Sequence, residues 1–227
     1  MWAVVPVKDM AGAKQRLASV LDSRERPALY RAMLEDVLSA LAAARGLDGI
    51  AVVSRDGEAA ALAARFGARV IAEPANRGHR AAVATAAGVL AAEGADGLLQ
   101  LPGDLPLASA AEIEAVLAAH GPAPAVTLVP SHDGQGTNCL AVSPPEALPF
   151  LFGDVSFEPH RRAALERGIE PAVLCLPGLG LDIDTPDDLA LLLARPGRSA
   201  ARAYLERSGI ARRLAALPGE SGRRASG

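Results

Sequence analysis

Hydrophobic and polar positions follow two different patterns along the chain. Short apolar runs rich in valine, isoleucine and leucine alternate with longer alanine-rich segments whose apolar positions recur at a helical period. This order predicts an α/β domain built on a mostly parallel sheet of about seven strands flanked by helices. The predicted strands cover residues 2–7, 49–54, 69–72, 97–101, 125–129, 138–142 and 172–176.

The helical segments between these strands begin with recognisable capping residues. Asp22-Ser23 precede the first predicted helix, Ser109 stands three residues before Glu112, and Thr185-Pro186 open the segment that starts with Asp187-Asp188. These are residue types that satisfy the free N–H groups of a first helical turn. The predicted helices cover residues 24–45, 56–66, 79–93, 109–119, 159–167, 186–195 and 199–217. We expect one domain over residues 1–217 and a disordered tail over 218–227.

Composition narrows the classes of function. The 227 residues are 50% hydrophobic, carry a net charge of −3 and include only 3% aromatic residues. Such a chain has neither the positive field nor the aromatic platform of a nucleic-acid-binding protein, and no apolar run is long enough for a membrane span. Cys139 and Cys175 lie in apolar segments without zinc-site spacing, so we expect buried reduced thiols in a cytoplasmic protein.

The first candidate cluster is the loop after the first strand, VPVKDMAGAKQRL at residues 5–17. It contains Lys8, Lys14 and Arg16 but matches neither a Walker A loop nor a GxGxxG fingerprint. Three cations at the carboxyl end of a strand suit the phosphates of a nucleotide. An ordinary strand-to-helix turn with solvated charges explains the same residues equally well.

Two further clusters supply carboxylates. Asp104 follows an apolar strand in LLQLPGDLP, and Asp182 and Asp184 stand two apart in LGLDIDTPDDL. Residues i and i+2 of an extended chain point the same way, so the second pair can share a cation. Carboxylates at strand ends beside phosphates are typical Mg²⁺ ligands. Asp187 and Asp188 are better explained as first-turn helix charges.

The fourth cluster joins two loops rich in small residues, DGQGTN at 133–138 and FGDVSFEPH at 152–160. Their backbone N–H groups and the hydroxyls of Thr137 and Ser156 could surround a small anion. His160 could also reach that anion, although a lone histidine near a helix start is more often simply exposed.

Taken together, these motifs resemble the CofC/FbiD guanylyltransferases of coenzyme F420 biosynthesis, from about Trp2 to Leu193. The resemblance implies a nucleotide-diphospho-sugar transferase (glycosyltransferase-A-like) fold and transfer of GMP from GTP to a small phospho-acid, with diphosphate released. The family's acceptors are 2-phospho-L-lactate, phosphoenolpyruvate and 3-phospho-D-glycerate, and overall resemblance slightly favours the last. A homodimer would be an ordinary assembly for such an enzyme.

The resemblance also assigns residues. Thr137 or Asn138, Gly153 and Ser156 correspond to the phospho-acid site, and Asp104, Asp182 and Asp184 to the Mg²⁺ site. Lys8, Lys14 and Arg16 would face the nucleotide, as would Gly78, with Lys8, Lys14 and Asp104 taking part in catalysis. The chain departs from the family where many relatives read GLN, because residues 76–83 are NRGHRAAV; contacts to the base from Asn76 to Arg80 are therefore left unassigned.

Two other functions remain open. A molybdopterin-type nucleotidyltransferase would share the architecture, but such enzymes usually carry a glycine-rich first loop that VVPVK lacks. A non-catalytic nucleotide-binding module would have little reason to keep three carboxylates at strand ends. An acceptor phosphate is already a dianion near neutral pH, so the proposed reaction needs no general base.

Overall fold

The seven strands form one sheet in the computed structural model, which describes residues 1–73 and 78–216. The predicted strands are all present, with bounds that differ by a few residues. The strand order across the sheet is β3-β2-β1-β4-β6-β5-β7. The strands are β1 (Trp2–Pro6), β2 (Gly49–Val53), β3 (Arg69–Ile71), β4 (Leu98–Gln100), β5 (Ala125–Pro130), β6 (Thr137–Ser143) and β7 (Ala172–Val173).

One strand runs against the others. Four neighbouring pairs are parallel, whereas β6 is antiparallel to both β4 and β5. Gln100 near the end of β4 pairs with Leu140, so the beginning of β6 lies beside the carboxyl end of β4. Both ends of the β5–β6 loop therefore lie at the edge of the sheet where β1 and β4 end.

The helices confirm most of the predicted segments. They are α1 (Glu25–Ala43), α2 (Gly57–Arg65), α3 (His79–Ala92), α4 (Ala110–Ala119), α5 (Phe157–Leu165), α6 (Pro186–Ala194), α7 (Ala200–Arg207) and α8 (Ile210–Ala215). The prediction of a single helix over 199–217 was wrong. Gly209 adopts a left-handed φ of 77° between α7 and α8, a conformation that ends one helix before the next begins. The predicted tail, 218–227, lies outside the described residues.

The predicted caps are present, with one difference. Asp22 accepts hydrogen bonds from the N–H groups of Arg24 and Glu25, and Thr185 forms a reciprocal capping box with Asp188. Ser109 caps α4 as predicted, but the carboxylate of Glu112 accepts from the backbone of Gly178 and Leu179 instead of turning back to its own helix. Glu112 thereby fixes the chain that leads towards Asp182.

Apolar side chains cover both faces of the sheet. One cluster packs the sheet against α1, α4, α6 and α7, and the other packs it against α3 and α5. Cys139 is buried, but the prediction for Cys175 was wrong, because β7 is a two-residue edge strand that ends before it and leaves this thiol exposed. Among the helices of residues 1–73 and 78–216, none combines the length and apolar character of a membrane-crossing segment.

Candidate functional site

A cleft of about 1030 Å³ opens at the edge of the sheet where β1 and β4 end and β6 begins. Ten of the eleven site residues predicted from the sequence line it. They are Lys8, Arg16, Gly78, Asp104, Thr137, Asn138, Gly153, Ser156, Asp182 and Asp184. The eleventh, Lys14, contacts two of these aspartates. The four clusters identified along the chain therefore belong to one site.

Lys14 connects the two ends of the carboxylate cluster. Its ammonium donates to Asp104 Oδ2 at 2.5 Å and to Asp184 Oδ1 at 2.7 Å, and its side chain is only 5% exposed. Burial by itself would lower the pKa of this amine, but the two carboxylates outweigh burial and raise the pKa above its ordinary value. Lys14 is therefore a permanent cation between two acids.

Asp182 has a different environment from Asp184. Burial raises the pKa of Asp182, and the nearby charges of Asp104 and Asp184 add to the effect, while Asn138 Nδ2 donates to its Oδ1 at 3.1 Å. Burial would also raise the pKa of Asp184, but Lys14 and Arg16 more than compensate and lower it. Asp182 therefore differs from Asp184 in that its neighbouring charges, those of Asp104 and Asp184, are negative and destabilise its ionised form.

These carboxylates fit a divalent cation delivered with a nucleotide. Asp104 Oδ1 is buried and has no hydrogen-bond partner, and Asp182 lies where added positive charge would relieve repulsion. Magnesium usually takes one or two protein carboxylates and completes its shell with phosphate oxygens and water. Within the described part of the chain, no group of three or more His, Cys, Asp or Glu side chains forms a ready-made metal cage. These carboxylate oxygens suit a metal ion that completes its coordination shell with phosphate oxygens of a bound nucleotide.

The other two predicted cations differ in exposure. Lys8 lines the cleft and is exposed. The side chain of Arg16 is 63% exposed; its guanidinium lies 3.4 Å from Asp154 Oδ1 and 3.7 Å from Asp184 Oδ2. Such exposed pairs are weak, so Arg16 can exchange its partners for an incoming anion.

The hydroxyls of Thr137 and Ser156 are already bonded within the protein. Ser156 Oγ accepts from the N–H of Thr137 at 2.9 Å, and Thr137 Oγ1 lies 3.0 Å from His160 Nδ1. Ser156 is 1% exposed. These hydroxyls hold the β5–β6 loop against α5 and leave the loop backbone and Gly153 to line the cleft.

The hypothesis that His160 contacts a bound anion was wrong, and so was the alternative that it is exposed. The ring is 0% exposed; its Nε2 accepts from the N–H of Leu151, so its Nδ1 carries the proton and donates to Thr137 Oγ1. Burial lowers the pKa of His160 to about 4, which keeps the ring neutral. His160 is a structural link between two loops of the cleft.

Part of the cleft wall was left without an assigned role by the sequence analysis. His79, Arg80, Gln100 and Phe152 all line the cleft, with His79 Nε2 lying 3.1 Å from Gln100 Nε2 and its ring packed edge-on against Phe152. Burial lowers the pKa of His79 to about 4. Gln100 is 0% exposed and its Oε1 has no partner. A glutamine inside the apolar run LLQL was the signal available in the sequence.

Comparison with known proteins identifies close relatives of the chain. Residues 1–220 match the family model described as "Guanylyl transferase CofC like". The phosphoenolpyruvate guanylyltransferase of Rubrobacter xylanophilus is 42% identical over 87% of this chain and 95% of its own. The 3-phospho-D-glycerate guanylyltransferase of Colwellia psychrerythraea is 39% identical over 83% of this chain and 89% of its own.

A solved structure shares the architecture. A protein assigned as a nucleotide-diphospho-sugar transferase, from Desulfovibrio desulfuricans G20, superposes with a TM-score of 0.72 at 19% identity and covers 94% of this chain and 97% of its own. At that identity the likeness concerns the fold alone. It confirms the nucleotide-diphospho-sugar transferase fold expected from the sequence.

Proposed function

Because the chain belongs to the CofC-like guanylyl transferase family, we propose that it transfers GMP from GTP to the phosphate of a small phospho-acid and releases diphosphate. As a member of that family it is a nucleotidyltransferase of the guanylyltransferase type. Within the acceptor class, we propose 3-phospho-D-glycerate ahead of phosphoenolpyruvate and 2-phospho-L-lactate, a preference that follows overall resemblance. We further propose a cytoplasmic role in the biosynthesis of coenzyme F420.

The observation that carries the proposal is the convergence of Asp104, Asp182 and Asp184 on one cleft, with Lys14 bonded to two of them. A reaction between a dianion and a polyanionic triphosphate is opposed mainly by charge repulsion. Carboxylates that hold Mg²⁺ and cations that bind phosphates supply the compensation. We propose Asp104, Asp182 and Asp184 as the Mg²⁺ ligands.

The bond changes of the proposed reaction need little acid–base chemistry. An oxygen of the acceptor phosphate bonds to the α-phosphorus of GTP, and the bond from that phosphorus to the diphosphate breaks. When bound, Mg²⁺ would neutralise phosphate charge as the diphosphate departs. The acceptor is already a dianion near neutral pH, so no side chain has to remove a proton from it.

The protein's own cations would position the donor. An ammonium has three N–H groups, and Lys14 gives two of them to Asp104 and Asp184, which leaves a third for a phosphate oxygen. Lys8 and Arg16 lie on exposed parts of the same cleft and would bind the diphosphate portion, while Gly78 would allow close approach of the nucleotide. Histidines 79 and 160 are neutral and weakly basic, which agrees with a reaction that uses no general base.

The direct test supplies the purified protein with Mg²⁺, one nucleoside triphosphate and one phospho-acid, and measures diphosphate release together with the mass of the product. We expect turnover with GTP, and a product equal to the acid plus GMP. Turnover only with CTP, or GTP binding without turnover of any of the three acids, would contradict the proposal. A side-by-side comparison of the three acids at equal concentration decides the acceptor preference.

A further inference from the structure

Arg80 is an exposed residue of the cleft whose positive charge has no counter-ion in the described part of the chain. It is the second residue of α3 and lines the cleft, and its Nε donates to the carbonyl oxygen of Phe152. A terminal nitrogen lies 3.2 Å from the position that a Cβ on Gly153 would occupy. Within residues 1–73 and 78–216, its guanidinium forms no ion pair. Arg16, on the same cleft, has Asp154 and Asp184 as partners.

The surroundings of Arg80 also favour an anion. The helix α3 begins at Gly78, which has a φ of 93° and no side chain to cap the first turn, so the positive end of a 14-residue helix faces the cleft. Behind it, Gln100 is fully buried and its Oε1 has no partner, although the amide nitrogen contacts His79. A buried acceptor oxygen without a partner needs a hydrogen-bond donor, so a ligand that carries a hydroxyl group beside its anionic group would complete this corner.

We propose that Arg80, together with the first turn of α3, binds the carboxylate of the acceptor and thereby makes the enzyme select phospho-acids over uncharged phosphate esters. This inference rests on the proposed function, because it concerns the acceptor of that reaction. Arg80 is tied to Phe152 directly beside Gly153, so its free edge faces the loop proposed for the acceptor. A guanidinium matches a carboxylate with two parallel hydrogen bonds, which an ammonium cannot do.

Geometry assigns the two ends of the acceptor to different partners. The acceptor phosphate has to reach the α-phosphorus near Asp104 and Lys14. The carboxylate then has to be compensated elsewhere, because Asp104, Asp182 and Asp184 would repel it. Lys14 is bonded to Asp104 and Asp184, and Arg16 lies close to Asp184 and Asp154. Lys8 also lines the cleft, but it is proposed above to bind the diphosphate of the donor. In the described part of the chain, Arg80 is then the cleft cation that remains for a second anionic group.

The test uses acceptors that differ only in the carboxylate. Glycerol 3-phosphate has a CH₂OH group where 3-phospho-D-glycerate has a carboxylate. Vinyl phosphate is the corresponding carboxylate-free ester for phosphoenolpyruvate. In Arg80→Gln, we expect kcat/KM for the acid to fall by about 10–100-fold, as for the loss of a charge-assisted pair. Turnover of the carboxylate-free ester should hardly change. Glutamine retains a donor for the Phe152 carbonyl, so the loop contact can persist.

A matched control and a binding measurement separate the outcomes. Arg161 lies on α5, pairs with Glu158 outside the cleft lining, and Arg161→Gln should leave both acceptors unaffected. The acid and its carboxylate-free ester are also titrated calorimetrically into the GTP-free protein. In Arg80→Gln, we expect weaker binding of the acid and unchanged binding of the ester. Equal losses for both acceptors, or a rise in KM for GTP alone, would overturn the assignment. Should the wild-type protein turn over no acid with GTP, the proposed function fails, while the calorimetric comparison still tests Arg80.

Discussion

The ammonium of Lys14 lies 2.5 Å from a carboxylate oxygen of Asp104, although 90 positions separate the two residues in the chain. Lys14 reaches Asp104 from a left-handed backbone with a φ of 56°, and it is the one non-glycine residue with a positive φ among those the structure describes. A left-handed conformation of this kind costs free energy for a residue with a Cβ. Its contacts with Asp104 and Asp184 compensate for that cost.

Replacement of Asp104 should abolish most of the activity without unfolding the protein. We expect Asp104→Asn to reduce kcat by roughly 10²–10³-fold at saturating Mg²⁺, because the substitution removes a negative charge at the centre of the site. Diphosphate release measures the loss, and circular dichroism checks the fold. Asp187→Asn is the matched control, since Asp187 lines the same cleft at the first turn of α6. Near-normal turnover of Asp104→Asn would contradict the metal-ligand role.

Loss of the Lys14 charge should make the stability of the protein depend on divalent cations. In Lys14→Met, Asp104 and Asp184 keep their charges without a partner, so we expect the free energy of unfolding to fall by about 1–3 kcal/mol, between the values for exposed and buried pairs. Added Mg²⁺ should raise Tm more in this variant than in the wild type. Thermal unfolding with and without Mg²⁺ provides the measurement, and Lys8→Met, at an exposed lysine, is the control. Equal Mg²⁺ effects in Lys14→Met and the wild type would argue against the shared site.

Ser156→Ala should act through the loop backbone. Ser156 Oγ accepts from the N–H of Thr137, so its removal leaves a buried donor unpaired and should lower the free energy of unfolding by about 1–3 kcal/mol. We also expect a higher KM for the phospho-acid and a nearly unchanged KM for GTP, because the loosened loop borders the proposed acceptor site. Denaturant titration and steady-state kinetics measure the two effects. A change in KM for GTP alone would place Ser156 on the other side of the site.

His160 should remain neutral in the folded protein well below the ordinary pKa of histidine. Burial lowers its pKa to about 4, so the folded state binds fewer protons than the unfolded state between that value and about 6.5. Its contribution to stability is therefore present above about pH 6.5 and is lost as the pH falls towards 4. A pH titration of the ring Cε1–H resonance, assigned with His160→Gln, should show no step near 6.5. A step at that pH would show that the ring is solvated.

The sequence was sufficient to predict the strands, but not the direction of one of them. The apolar run 138–142 has the same pattern in either direction, so pairing of β6 antiparallel to β4 and β5 became visible only in three dimensions. The helix break at Gly209 was similarly hidden in an amphipathic pattern that continues across it. Whether a segment forms a strand or a helix depends on its local pattern of apolar residues. The direction of a strand and the position of a short break in a helix depend on tertiary contacts.

The sequence predicted that Asp104, Asp182 and Asp184 would lie close together, and all three line the same cleft; their role as metal ligands stays a prediction. The prediction failed for His160, whose burial depends on packing of α5 against two loops. It also left Arg80 unassigned, because a cation at a helix start has no evident role until the fold shows which described residues lie around it. A sequence shows which residues are charged, but it does not show which of them have a partner of opposite charge in the folded protein.

The reversed direction of β6 divides the walls of the cleft along the chain. The wall formed by Lys14 and Asp104 comes from the region up to the loop after β4, whereas the facing loops come from one continuous stretch, residues 131–156. Exchange of that stretch alone between relatives would transplant one wall and leave the other in place. A change confined to that stretch can therefore remodel the loops proposed for the acceptor while the residues around Lys14 and Asp104 are inherited unchanged.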